Sequence, residues 1–182
     1  HCQYFGVDKT RCYNMDEKDF SAMERFYEAD LSAPENLRVL PDSFFDCIIL
    51  SHIIEHLVHG EEILAGLVKK LAPGGLLYLE FPGAKSPYLP KMKGPFLGGS
   101  LNFSDDPTHV RLYLRNELEQ VLKNNGCEII RSGVRRSVKR IILFPIYVVG
   151  TSILFKCFDG GTLWDILGFA EFIIAQKSPA SV

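Results

Sequence analysis

The sequence predicts an α/β fold with a mostly parallel sheet, and three observations carry that prediction. Residues 44–82, FFDCIILSHIIEHLVHGEEILAGLVKKLAPGGLLYLEFP, read as strand, loop, helix, tight turn and strand. Ahead of them lie two short apolar runs, each closed by an aspartate. Behind them, at 113–130, a helical stripe leads through a glycine into another apolar run. Alternation of this kind builds βαβ units, whose crossovers are right-handed and whose strands run parallel.

The central unit is the clearest. Asp46–Leu50 is short, nearly all apolar and β-branched at Ile48 and Ile49, as a strand buried on both faces requires. Ile63, Leu64, Leu67, Val68 and Leu71 recur at helical spacing, with Glu61, Glu62, Lys69 and Lys70 on the other side, which predicts an amphipathic helix. Pro73 cannot continue that helix, Gly74 and Gly75 can take positive φ, and an apolar strand resumes over Leu76–Phe81.

At 182 residues and 47% hydrophobic, the chain can bury a sizeable core and reads as a single domain over 1–182. A net charge of -2 makes no case for a nucleic-acid partner, and the local run Arg131, Arg135, Arg136, Lys139 and Arg140 reads as a solvated face. Five cysteines, at 2, 12, 47, 127 and 157, show no CxxC spacing. Cys47 and Cys127 fall in apolar strands, where a thiol acts as a small hydrophobe, so a reducing, cytoplasmic setting is expected. No leader segment is recognisable, and a start at His1 without Met reads as a fragment.

In chain order, Tyr4–Val7 is a strand ended by Asp8, and Phe26–Ala29 a strand ended by Asp30 and Leu31. The polar stretch between them supports only a short helix. Ligands of open parallel sheets sit outside the carboxyl ends of the strands, where an acidic side chain can accept hydrogen bonds from ribose hydroxyls. Asp8 is placed for that role; a turn aspartate is the alternative. Asp30 with Ser32 equally reads as the cap of a following turn.

Beyond the central unit, 84–108 is rich in Pro and Gly and reads as a lid-like loop. Its aromatics Tyr88, Phe96 and Phe103 either close over a substrate or pack the loop down. Leu118, Val121 and Leu122 predict a helix stopped by Gly126, and Cys127–Ile130 begins a strand. Residues 138–168 form an apolar insertion. Within it, Ile141–Phe155 is 15 residues without a charge, short of the roughly 18 that suggest a membrane span. A helical pair broken at Pro145 and Gly150, capping the substrate pocket, is expected. Because four basic residues precede it, peripheral membrane contact through 138–158 is the alternative.

FDCIILSHIIEHL followed by LVKKLAPGGLLYLEFP resembles the fourth and fifth strand regions of class I S-adenosylmethionine-dependent methyltransferases, in the small-molecule branch. The likeness extends over roughly three quarters of the chain by its periodic segments. It implies a Rossmann-like fold in which Phe172–Ala175 is an antiparallel closing strand, with S-adenosylmethionine as cofactor and a small molecule as methyl acceptor. By the same resemblance, Asp8 holds the cofactor ribose, Lys9 lies beside the adenosine, Asp30 faces the adenine amino group and the Leu31 amide contacts the ring. Ser51 and His52 would line the cofactor and the transferred methyl. The family's first strand and glycine-rich loop have no counterpart before Tyr4, so the domain reads as truncated, with a gap in mid-sheet.

His52, Glu55, His56 and His59 share a helical face at one-turn spacings. Some members of the family bind a divalent metal on an ExxEH motif and a distant histidine, for which His109 is the counterpart here; most relatives with an EH pair use it to orient the loop by hydrogen bonds. We assign no metal. If a base is needed, His56 or His109 supplies it, because imidazole titrates near neutral pH. The absent glycine loop keeps a non-catalytic binding module open as the alternative function, with a doubly wound dehydrogenase or epimerase third. Oligomeric state cannot be read from the sequence.

Overall fold

The computed structural model describes residues 2–11, 15–92, 97–155 and 158–179; Cys12, Phe96 and Cys157 lie outside them. Strand β1 (Phe5–Asp8) pairs in parallel with β2 (Arg25–Glu28), setting Asp8 opposite Glu28. Between them, α1 (Glu17–Ala22) is the expected short helix, capped by the Asp16 carboxylate on the Lys18 and Asp19 amides. Strand β3 (Phe45–Ser51), α2 (Gly60–Lys70) and β4 (Leu71–Pro82) form the predicted βαβ unit, with β3 and β4 parallel. After a two-residue strand β5 (Leu97–Gly98) come α3 (Arg115–Asn124), β6 (Cys127–Val134), α4 (Val138–Phe155), β7 (Phe158–Asp159), α5 (Trp164–Leu167) and β8 (Ala170–Lys177). The last strand slots between β4 and β6, antiparallel to both.

The expected interruption is there. Among the described residues, hydrogen bonding gives one block of β1 and β2 and another in the order β3, β4, β8, β6, besides the short pair of β5 and β7. Aromatic rings bring the blocks together: Phe5 lies 5.4 Å from Phe44 and 5.5 Å from Phe45, edge to face. The predicted stripe of α2 is fully buried with Leu77, Leu79 and Phe81 of β4 and with Leu118 and Leu122 of α3. Each such side chain contributes about 1.5–3 kcal/mol. Helix α3 starts without a side-chain cap at Leu114, but the Glu117 carboxylate reaches back to the Leu114 amide at 3.3 Å.

Four expectations need correcting. Strand β3 is not buried on both faces: Ile48 and Leu50 turn inward, whereas Cys47 is exposed and Ile49 is 66% exposed. Nothing among the described residues packs over that second face. The stretch 52–59 is not a helix. His52 takes φ +52°, Ile54–His56 is one tight 3-10 turn, and α2 begins only at Gly60. A left-handed residue cannot continue a right-handed helix, so the four polar side chains are spread by the turn rather than aligned. Residues 138–155 form one continuous helix rather than a broken pair. Pro145 removes a single backbone bond, and the helix-forming aliphatic residues around it carry the helix through. Finally, Arg135 is no solvated charge but an ion-pair partner of Glu80 at 3.4 Å.

The described parts of 84–108 are held by their own polar groups. Asn102 donates to the carbonyls of Pro87 and Leu89, and the Asp105 carboxylate accepts from the amides of Met92, Leu101 and Asn102. Tyr88 points to solvent, while Phe103 lies against the His109 ring at 4.7 Å.

Candidate active site at the carboxyl ends of the parallel strands

Ser51 ends β3 opposite Glu80 of β4, and the next residue turns the chain out of the sheet. His52 donates its amide to the Glu80 carbonyl at 2.9 Å. Its ring is held between two carboxylates, Nδ1 at 3.0 Å from Glu55 Oε1 and Nε2 at 3.2 Å from Glu80 Oε1. Burial works against a charge there, but the hydrogen bonds to Glu55 and Glu80 outweigh it and push the imidazole up to about 9. His52 is therefore an imidazolium at neutral pH, with both ring N–H groups donating. Burial likewise disfavours the Glu80 charge, yet His52, Tyr78 and Arg135 together hold its carboxyl below the ordinary value. Tyr78 donates its hydroxyl to Glu80 Oε2, and burial with that carboxylate pushes the phenol up to about 12.

Glu55 is also the hub for the second pair of histidines. Its backbone carbonyl accepts from the Val110 and Arg111 amides, which ties 108–111 across the turn. His109 Nδ1 donates to the Phe103 carbonyl at 2.7 Å, leaving Nε2 3.9 Å from Glu55 Oε1. His56 Nδ1 donates to the Thr108 carbonyl at 3.1 Å and to its hydroxyl oxygen at 3.0 Å; that hydroxyl donates in turn to Asp106. These bonds from Thr108 hold the Asp106 carboxyl below its usual range. The two imidazoles lie 4.8 Å apart, and Glu55, His56 and His109 each offer a donor atom within 4.8 Å of the others. Glu55 Oε2 is buried without a hydrogen-bond partner. Three donors can seat a cation only if outside ligands complete its shell.

Outward from His52 the cluster runs into the insertion. Trp164 of α5 lies 5.0 Å from the His52 ring and stacks on Phe169 at 4.6 Å. Arg135 joins Glu80 to the buried Asp165, which caps the start of α4 by accepting from the Ser137 amide at 2.9 Å. Glu80, Tyr78, Trp164 and Asp165 were not foreseen from the sequence. A glutamate inside the otherwise apolar run LLYLEFP was the available signal, because a carboxylate in a buried strand needs partners.

The other predicted residues gather at the ends of β1 and β2. Asp8 is half-buried, with its carboxylate on the Thr10 amide at 3.4 Å and its carbonyl on the Ala29 amide. Asp30 is exposed, and Oδ1 accepts both the Ser32 amide and hydroxyl, bonds that hold its carboxyl below the usual value. The turn cap is thus real and leaves the second oxygen outside those bonds. Lys9 and Asp30 line a cleft of about 280 Å³ with Asn36 and Val39, and Leu31 lies half-buried beside Asp30. No hydrogen bond or ion pair among the described residues joins this group to the His52 cluster. A larger cleft, about 640 Å³, lies between the two blocks among Phe5, Tyr27, Arg38, Leu40 and Phe44, and contains none of the predicted site residues.

The fold is Rossmann-like, shared with the solved structures described below. A family model described as a methyltransferase domain matches residues 1–132, and the chain belongs to that family. No curated protein matches the chain. Among solved structures it resembles an S-adenosylmethionine-dependent methyltransferase from Mesorhizobium loti at 15% identity and TM-score 0.63, over 96% of this chain and 81% of that one. It resembles another from Archaeoglobus fulgidus at 21% identity and TM-score 0.51, over 95% and 75%. The cyclase SpnF matches at 15% identity and TM-score 0.57, over 98% and 67%, so the fold also carries other chemistry. By that family match the chain is a methyltransferase domain.

Proposed function

We propose that this methyltransferase acts on a small-molecule acceptor bound over the carboxyl ends of β3 and β4, with the cofactor's adenosine over the ends of β1 and β2. The observation supporting this division is the placement of Lys9 and Asp30 in one strand-end cleft while Ser51, His52, His56 and His109 gather at another strand end. In this reading Asp8 accepts from the ribose hydroxyls, Asp30 offers its second carboxylate oxygen to the adenine amino group, and the Leu31 amide meets the ring. When bound, S-adenosylmethionine supplies a methyl group already activated on a sulfonium, so alignment rather than strong base catalysis is what the chain must add.

The His52 side chain is committed to Glu55 and Glu80, so its part is to fix the turn that follows Ser51. His56 or His109, gathered with Glu55, takes the proton that an acceptor hydroxyl or amine gives up. No metal is assigned. A cytoplasmic setting accords with the unpaired thiols of Cys2, Cys47 and Cys127.

The test is methyl transfer from labelled S-adenosylmethionine into a size-fractionated cell extract. Label should enter the small-molecule fraction and fall when His56 and His109 are both replaced by Ala. Label confined to macromolecules would overturn the acceptor class, and unchanged transfer by the double variant would remove both histidines from the mechanism.

A further inference from the structure

Among the described residues, one side of helix α4 is left exposed along most of its length. Val138, Ile142, Ile146, Val149 and Ile153 follow at steps of four, four, three and four residues, and all are more than half exposed. At 100° per residue these side chains fall within a single arc of roughly 80°, so they form a strip along one side of a rod about 27 Å long. Exposed aliphatic residues scattered singly need no explanation, but a continuous strip of five marks an interaction face.

The charge around that strip is one-sided. Residues 129–158 contain six of the chain's 20 basic residues and none of its 22 acidic ones, in a protein whose net charge is -2. The basic side chains Arg136, Lys139 and Arg140 are exposed at the start of α4. That end is bolted to the domain: Asp165 accepts from the Ser137 amide and pairs with Arg140, and Arg136 donates to the Ile166 carbonyl at 2.9 Å. The strip itself is wholly Val and Ile, without the aromatic and arginine anchors on which protein interfaces concentrate their energy. A second copy of the chain would bring the same apolar strip but no acidic residue along it. No described helix is long and apolar enough to cross a membrane.

We propose that α4 is an in-plane anchor for an anionic lipid surface, its Val and Ile strip entering the boundary between headgroups and acyl chains and its basic start meeting acidic headgroups. The anchor is fixed to the catalytic cluster through Asp165, Arg135 and Glu80, so docking would set the strand-end site at a constant height above the surface. This goes beyond methyl transfer and does not depend on the identity of the acceptor.

The full chain should be sedimented with vesicles of phosphatidylcholine alone and with vesicles containing about 30% phosphatidylglycerol. Binding is expected to the second kind, to weaken in about 0.5 M salt, and to drop at least about fivefold in the triple variant Ile142→Ser, Ile146→Ser, Ile153→Ser and in Lys139→Glu. These side chains are exposed and lie outside the site, so the unfolding midpoint and cofactor binding should stay at wild-type values. Equal binding by wild type and triple variant, or no binding to acidic vesicles, would overturn the proposal. So would a wild-type dimer in solution that the triple substitution dissolves while vesicles are ignored.

Discussion

His52 and Glu80 touch twice across the pairing of β3 and β4, backbone amide to carbonyl at 2.9 Å and ring Nε2 to carboxylate at 3.2 Å. The double contact fixes the point at which the chain leaves the sheet. It also ties the charge state of the loop to pH.

Because His52 is raised from 6.5 to about 9, the folded protein holds a proton between those values that the unfolded chain has released. The linked stabilisation is therefore complete below pH 6.5 and is lost as pH rises through 9, by at most about 3 kcal/mol. Urea unfolding from about pH 6 to pH 9.5 should show this decline. Glu80→Gln should lower overall stability and flatten the slope in that window; an unaltered slope would detach His52 from its carboxylates.

Asp8 should matter for the cofactor and little for the fold. Among the described residues its only side-chain bond is the long one to Thr10. Asp8→Asn is expected to weaken S-adenosylmethionine binding roughly 10–100-fold by calorimetry, the loss of charge-assisted hydrogen bonds, while the melting temperature moves by no more than about 2 °C. Wild-type affinity in the variant would remove the ribose role.

Glu55, His56 and His109 make the metal question decidable. Turnover should persist within about twofold in EDTA, since the sulfonium is activated without a Lewis acid. Activity abolished by the chelator and restored by zinc or manganese would instead make the three residues a cation site.

Near its start, β4 holds a pair of contrasting glycines, Gly74 and Gly75. Gly74 has φ +79° and open space around it, so Gly74→Ala should cost only the backbone penalty, about 1 kcal/mol. A Cβ at Gly75 would meet the carbonyl oxygens of Ala72 at 2.9 Å and Phe45 at 3.0 Å, backbone atoms that cannot rotate away. Gly75→Ala should therefore cost more, about 2 kcal/mol or above, in urea unfolding. The reverse order would contradict the packing at the start of β4.

What could be read from the sequence was local and periodic. The stripe Ile63, Leu64, Leu67, Val68 and Leu71 appears at helical spacing, and all five are buried. Pro73 with two glycines marks the return to the sheet, and the antiparallel placing of β8 came from the family likeness rather than from periodicity. What could not be read was non-local. Glu80 meets Arg135 across more than 50 residues of chain, and no pattern in either segment names the other. The exposed face of β3 was hidden for a similar reason: an apolar run reads as buried whether or not anything arrives to cover it. At Ile54–His56 a helical spacing of polar residues was real, but the left-handed backbone at His52 overrode it. Pro145 misled in the opposite direction, since one missing amide bond did not end α4.

The left-handed backbone at His52 places two demands on a single position. Glycine there would relax the main chain but erase the cation that Glu55 and Glu80 require. The two changes oppose each other, so a mutational scan scored only by thermal denaturation would record a modest net difference and conceal that one of the most consequential residues near the site had been removed.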